Sequence, residues 1–187
     1  MKYSVNNFFS EDECSYFIKK SLEVGIPFKY NPNEHWDCRR IYDEELKLKI
    51  YKILQNKYKN GDWNLWIDFE SLKIKSINVS LTSYYEGRYL NLHKDANSDL
   101  TIVVVLNDNY EDGRFAVTDK VDNNFHFENL KNIELIKLSK GDGITFIGNK
   151  IFHGVLPVTK GIRYALNIWL SEEENKFIPM KKEKSVI

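Results

Sequence analysis

The chain has 187 residues, of which 42% are hydrophobic and 29% charged, and its 27 Lys+Arg are balanced by 27 Asp+Glu. That length suits one domain with a sizeable core, and a zero formal net charge gives no overall basic field to draw the protein to nucleic acid or an anionic membrane. No apolar run approaches membrane-spanning length, Met1–Asn7 lacks the apolar region of a signal peptide, and Cys14 and Cys38 have neither metal-type spacing nor the makings of a disulfide framework. A cytoplasmic protein is expected.

Residues 3–9 predict a short strand. Ser10-Glu11-Asp12-Glu13 is a capping box, with Ser10 as the cap and Glu13 reaching back. The helix it opens should run to about Glu23, where Gly25 and Pro27 stop it, and Cys14 is expected as a small buried residue. Residues 28–42, with Pro32, His35, Trp36, Cys38, Arg39 and Arg40, read as a loop and a short strand. Asp43 then caps a second helix, whose Leu46, Ile50, Ile53 and Leu54 share one apolar face. Trp63 and Trp66 are expected to pack in the core.

From Leu72 the period changes to that of strands. Ile74, Ile77, Val79 and Leu81 are followed by two short strands joined by a turn at Glu86-Gly87. Thr101–Leu106 is a continuous apolar run, which predicts a strand buried on both faces. Residues 107–113 read as a turn, and further strands are expected at 115–117, 133–138, 144–147, 151–156 and 162–170, with tight turns at Gly141-Asp142-Gly143 and Gly148-Asn149. Residues 118–132 are polar and long for a hairpin connection, which predicts a substrate-facing loop with His126 on the surface. Many short strands without intervening helices predict a jelly roll or barrel. With the two leading helices, the fold class is mainly β with flanking helices, a double-stranded β-helix with an N-terminal helical buttress. One domain over 1–187 is expected: helical support over 1–70, the double-stranded β-helix over 71–171, and a tail over 172–187.

Three residues carry the chemistry. His93 and Asp95 are two apart, so on an extended strand both side chains point to the same face. Far downstream stands His153, and after it Arg163. Two imidazoles and one carboxylate make the three-ligand face used by non-haem Fe(II) oxygenases, which leaves the other coordination positions open. Arg163 supplies a fixed positive charge suited to a two-pronged grip on a carboxylate.

The surrounding residues resemble the 2-oxoglutarate/Fe(II)-dependent dioxygenases, and within them the prolyl 4-hydroxylase-like group. That group's pattern, Tyr-x-x-Gly-x-aromatic-Leu-x-x-His-x-Asp, stands here as Tyr84, Gly87, Tyr89, Leu90, His93 and Asp95. The distal pattern stands as His153, Pro157, Val158, Gly161, Arg163 and Trp169. The resemblance implies a hydroxylase whose metal and catalytic set is His93, Asp95 and His153. It implies Fe(II), 2-oxoglutarate and dioxygen, with ascorbate as a reductant. Arg163 would take the 5-carboxylate of 2-oxoglutarate, with Tyr84 and Thr101 as further contacts. Peptidyl proline is the expected substrate. The alternative is a free amino acid or other small molecule bearing its own carboxylate, which Arg39, Arg40 or Arg114 would suit. Departures from the pattern, Asp112-Gly113 in place of Gly-Gly and then Arg114-Phe115, lie near the substrate side. A nucleic-acid demethylase is disfavoured, since Trp169 stands where that group carries a second arginine, and a halogenase is disfavoured by the carboxylate of Asp95. A non-catalytic binding module is the reading from a different class, and the complete ligand set speaks against it. No membrane partner is expected, and the sequence leaves the oligomeric state open.

Overall fold

The computed structural model describes residues 2–28, 36–96, 98–119 and 133–173. Among the described residues two helices and thirteen strands follow one another as β1 (Tyr3–Asn7), α1 (Glu11–Val24), β2 (Ile26–Phe28), β3 (Asp37–Ile41), α2 (Glu44–Lys59), β4 (Ser76–Tyr84), β5 (Leu90–His93), β6 (Leu100–Val105), β7 (Tyr110–Asp112), β8 (Phe115–Thr118), β9 (Glu134–Ile136), β10 (Asp142–Phe146), β11 (Phe152–Val155), β12 (Val158–Gly161) and β13 (Arg163–Ser171).

Both helix starts follow from local chemistry. Ser10 accepts from the Glu13 N–H while the Glu13 carboxylate accepts from the Ser10 N–H, so two otherwise orphaned donors are satisfied. Asp43 accepts from the Leu46 N–H at 2.7 Å. Leu46, Ile50 and Leu54 lie on one face of α2 and are buried, because residues three and four apart stack on a helix surface.

The strands form a seven-stranded sheet in the order β1-β10-β6-β13-β4-β3-β2, a four-stranded sheet β5-β11-β8-β9, and a two-stranded ribbon β12-β7. All pairings are antiparallel. The fold is a double-stranded β-helix. Alternation along each strand divides the large sheet into two faces. Leu81, Val79, Leu166, Ile168, Ile102 and Val104 face the helices and join Phe17, Ile50, Leu54 and Trp63 in one core. Tyr84, Val103, Val105, Ile144, Phe146 and Ala165 face the second sheet and join Phe115, Val117 and Val155 in the other. β6 lies between these two cores, and all six of its residues are buried, as its unbroken apolar run requires. Trp63 packs on the helix side, where its indole donates to Thr145 at 3.2 Å.

Several expectations change in detail. The turn expected at 107–113 contains β7, which pairs with β12. The two strands flanking Glu86-Gly87 are not partners: β4 lies in the large sheet and β5 in the smaller one, so this turn carries the chain from one sheet to the other. The segment expected as helical support also supplies β1, β2 and β3 to the large sheet. Thr118 closes β8, whereas the rest of the expected 118–132 loop from residue 120, His126 included, lies outside the described residues, as do Pro32, His35 and the tail from residue 174. Among the described residues no helix is long and apolar enough to cross a membrane.

Candidate active site

His93 ends β5, and His153 stands opposite it on β11 in direct register. Their ring centroids are 4.3 Å apart. Asp95 lies two residues beyond the end of β5, so the shared face expected from strand alternation is reached by a different route: the Asp95 N–H donates to the Gly148 carbonyl at 3.0 Å, which turns the carboxylate in beside the rings. The ligand atoms of His93, Asp95 and His153 all lie within 4.8 Å of one another.

The hydrogen bonds fix what these atoms offer. His93 Nδ1 is 3.0 Å from the Asn91 carbonyl and His153 Nδ1 is 3.1 Å from the Ile151 carbonyl. A carbonyl only accepts, so each Nδ1 carries the proton and, in a neutral ring, each Nε2 presents a lone pair. His93 Nε2 faces Asp95 Oδ1 at 3.7 Å and His153 Nε2 faces Asp95 Oδ2 at 3.6 Å, distances too long for hydrogen bonds. Burial and then the neighbouring His93 ring hold the His153 imidazole down to about 4, so it is neutral near pH 7. Two lone pairs converging on a carboxylate form an electron-rich cluster that a divalent cation completes. Phe115, stacked at 18° to the His153 ring, and Phe146, 4.5 Å from it, wall one side.

Asp95 is itself held. Its Oδ2 accepts from Thr101 Oγ1 at 2.7 Å. Since the threonine has one proton to give, the Ser98 hydroxyl 2.9 Å away donates to it in turn. The Thr101 hydroxyl, expected as a cosubstrate contact, is therefore engaged with the Asp95 carboxylate. Gly148 matters for the same reason: a Cβ there would lie 2.3 Å from Thr101 Oγ1 and 2.7 Å from Asp95 Oδ2. Sequence reasoning took Gly148-Asn149 as a turn only and did not single out Ser98. Both roles depend on chain segments that meet only after folding.

Arg163 opens β13 and is 1% exposed. Its Nε and Nη1 have no hydrogen-bond partner among the described residues. A buried guanidinium with unsatisfied donors is costly unless an anion completes it, and a dicarboxylate supplies one. Gly113, at φ +64°, makes room: a Cβ there would lie 3.0 Å from Arg163 Cδ and 2.9 Å from Val158 Cγ2. Asp112, at φ 59°, adopts the left-handed conformation that explains glycine at that position of the pattern, and aspartate is among the residues that tolerate it. Tyr84 is buried opposite Arg163.

The three arginines expected at the substrate side fall in different places. Arg39 pairs with Leu81, whose side chain faces the helices, and donates to the Gly25 carbonyl at 3.1 Å. Arg40 pairs with Ser80 on the face that looks toward the second sheet, and its guanidinium lies 3.8 Å from the Phe28 ring centroid. Arg114 is bound to Asp112 through Nε at 3.0 Å.

Residues 79–171, from inside β4 to the end of β13, match the family model of the 2OG-Fe(II) oxygenase superfamily. The chain belongs to this superfamily. It is a 2-oxoglutarate/Fe(II)-dependent dioxygenase, and its cofactor and cosubstrate are Fe(II) and 2-oxoglutarate. The matched segment contains the histidine–aspartate cluster and Arg163, whose chemistry fits both groups.

The oxygenase also shares its fold with solved prolyl hydroxylases. A prolyl-4-hydroxylase of Pseudomonas putida superposes with a TM-score of 0.61 at 14% identity, over 92% of this chain and 93% of its own. The viral collagen prolyl hydroxylase of Paramecium bursaria Chlorella virus-1, solved with 2OG, gives 0.63 at 20% identity over 93% and 97%. A prolyl hydroxylase of Trichoplax adhaerens, solved with a hypoxia inducible factor oxygen degradation domain peptide, gives 0.62 at 16% over 91% and 83%. No curated protein matches the chain.

Proposed function

We propose that this oxygenase hydroxylates peptidyl proline, with His93, Asp95 and His153 holding the iron and Arg163 holding the distal carboxylate of 2-oxoglutarate. The observation that carries the site assignment is the convergence of two Nε2 lone pairs on one carboxylate, with the two unpaired donors of buried Arg163 in the same superfamily segment. When bound, the iron would activate dioxygen as the oxidant, one oxygen atom going into the substrate C–H bond to give an alcohol and the other into succinate as 2-oxoglutarate loses carbon dioxide.

The chain's own residues orient and shelter this chemistry. The Asn91 and Ile151 carbonyls hold the two rings in the tautomer that points Nε2 at the site. Thr101 and Ser98 keep the Asp95 carboxylate turned toward the rings. Phe115 and Phe146 exclude water from one side of His153. His93 is the more open of the two rings, with its side chain 39% exposed against 5% for His153, so a substrate reaches the site from the His93 side.

Peptidyl proline is favoured by the shared fold, since the neighbours include prolyl hydroxylases and one was solved with a peptide. Mass spectrometry of end-blocked proline peptides after incubation with Fe(II) and 2-oxoglutarate tests it. A product heavier by one oxygen is expected, and products on free amino acids alone would retire it. The second reading, a small carboxylate substrate, is favoured by Arg40, the one of the three arginines placed on the face toward the second sheet.

A further inference from the structure

We propose that Trp36 is a substrate-positioning residue whose indole N–H donates to a carbonyl oxygen of the bound peptide; this deepens, and rests on, the peptidyl-proline reading above.

Trp36 immediately precedes β3. In the β3–β4 pair Asp37 stands opposite Ser83 and Cys38 opposite Thr82. Continuing that register by one residue sets Trp36 beside Tyr84, which stands opposite Arg163 in the β4–β13 pair. Trp36, Tyr84 and Arg163 thus fall in one row across three neighbouring strands, and Trp36 packs against the inter-sheet core that contains Tyr84. The Trp36 Nε1 is buried and has no hydrogen-bond partner among the described residues. Buried indoles ordinarily find an acceptor, as Trp63 does on Thr145.

The same row therefore carries unsatisfied donors at both ends, Trp36 Nε1 and Arg163 Nε and Nη1. Two strand spacings separate the backbones of Trp36 and Arg163, about 10 Å, with Tyr84 on the strand between them. We assign the acceptor at Trp36 to a second molecule, and the 2-oxoglutarate affinity of the variant below separates this from the carboxylate held at Arg163. An indole N–H only donates, so the position selects an acceptor. A prolyl residue in a peptide offers a carbonyl oxygen and no N–H, which is the polarity that a donor-only partner requires.

The test uses Trp36→Phe, which keeps an aromatic ring and removes the donor. The full-length protein is loaded with Fe(II) and 2-oxoglutarate without dioxygen, and binding of an end-blocked proline peptide is followed by calorimetry. The expected result is an about 3- to 10-fold weaker peptide Kd, the loss of one neutral hydrogen bond. Affinity for 2-oxoglutarate should be unchanged, and the melting temperature of the free protein no lower, because an unpaired buried donor has been removed. An unchanged peptide Kd in the variant overturns the role of Trp36, as does weaker 2-oxoglutarate binding, which would assign the donor to the cosubstrate. Weaker peptide binding together with a lowered melting temperature also overturns it, in favour of simple packing. If the wild-type protein neither binds nor hydroxylates the peptide, the peptidyl-proline reading itself falls and takes this proposal with it.

Discussion

Arg163 and Tyr84 stand opposite each other on neighbouring strands, with the guanidinium carbon 5.5 Å from the centroid of the tyrosine ring. The pair places a buried cation against an aromatic wall and leaves two of its nitrogens without acceptors among the described residues. A charge-assisted contact contributes roughly 1.5–3 kcal/mol. Arg163→Met is therefore expected to weaken 2-oxoglutarate binding by about 10- to 100-fold, measured by calorimetry on metal-loaded protein. The same substitution removes an uncompensated buried charge, so the ligand-free variant should melt no lower than the wild type. Unchanged affinity would move the role to another basic residue, and Lys160, already paired with Glu111, would be the first to replace.

Thr101 separates two roles cleanly. Its hydroxyl is on Asp95, so Thr101→Val should lower metal affinity by about 10- to 100-fold, as expected for a group that orients a ligand. The 2-oxoglutarate affinity at saturating metal should be preserved. A Mn(II) or Fe(II) titration under anaerobic conditions reads the first quantity and calorimetry the second. The reverse result would restore Thr101 as a direct cosubstrate contact.

Gly148→Ala forces a methyl group to within 2.3 Å of Thr101 Oγ1 and 2.7 Å of Asp95 Oδ2. The carboxylate must move, so metal binding should fall by at least about tenfold while the circular dichroism spectrum stays that of the folded protein. Wild-type metal affinity in this variant would show that Asp95 is not a ligand.

His153 gives a metal prediction and a pH prediction. His153→Ala should abolish turnover and stoichiometric metal binding, with the fold retained. In the metal-free protein the imidazole is held down to about 4 by burial and by His93, whereas in the unfolded chain it titrates near 6.5. Between these values the unfolded state binds the proton and the folded state does not. Stability from this group is thus present above about pH 6.5 and lost as pH falls toward 4. Urea unfolding of metal-free protein across that window should show the loss, and His153→Ala should flatten it.

Much of this protein was legible in its residues. Capping at Ser10 and Asp43, the apolar face of α2 and the doubly buried run at β6 are local signals, decided by side chains a few positions apart. The spacing of His93, Asp95, His153 and Arg163 within two flanking patterns indicated the chemistry, because each residue type is one that iron or a carboxylate requires. What the residues could not show is which strands would meet. The pairing of β5 with β11 sets His93 against His153, the Gly148 carbonyl turns Asp95 inward after its strand has ended, and the β4–β13 register puts Tyr84 against Arg163. These contacts join segments tens of residues apart, and no local propensity encodes them. They arise because two sheets must bury their apolar faces against each other in one register, and that register decides which polar groups inside find partners and which, like those of Arg163 and Trp36, find none among the described residues.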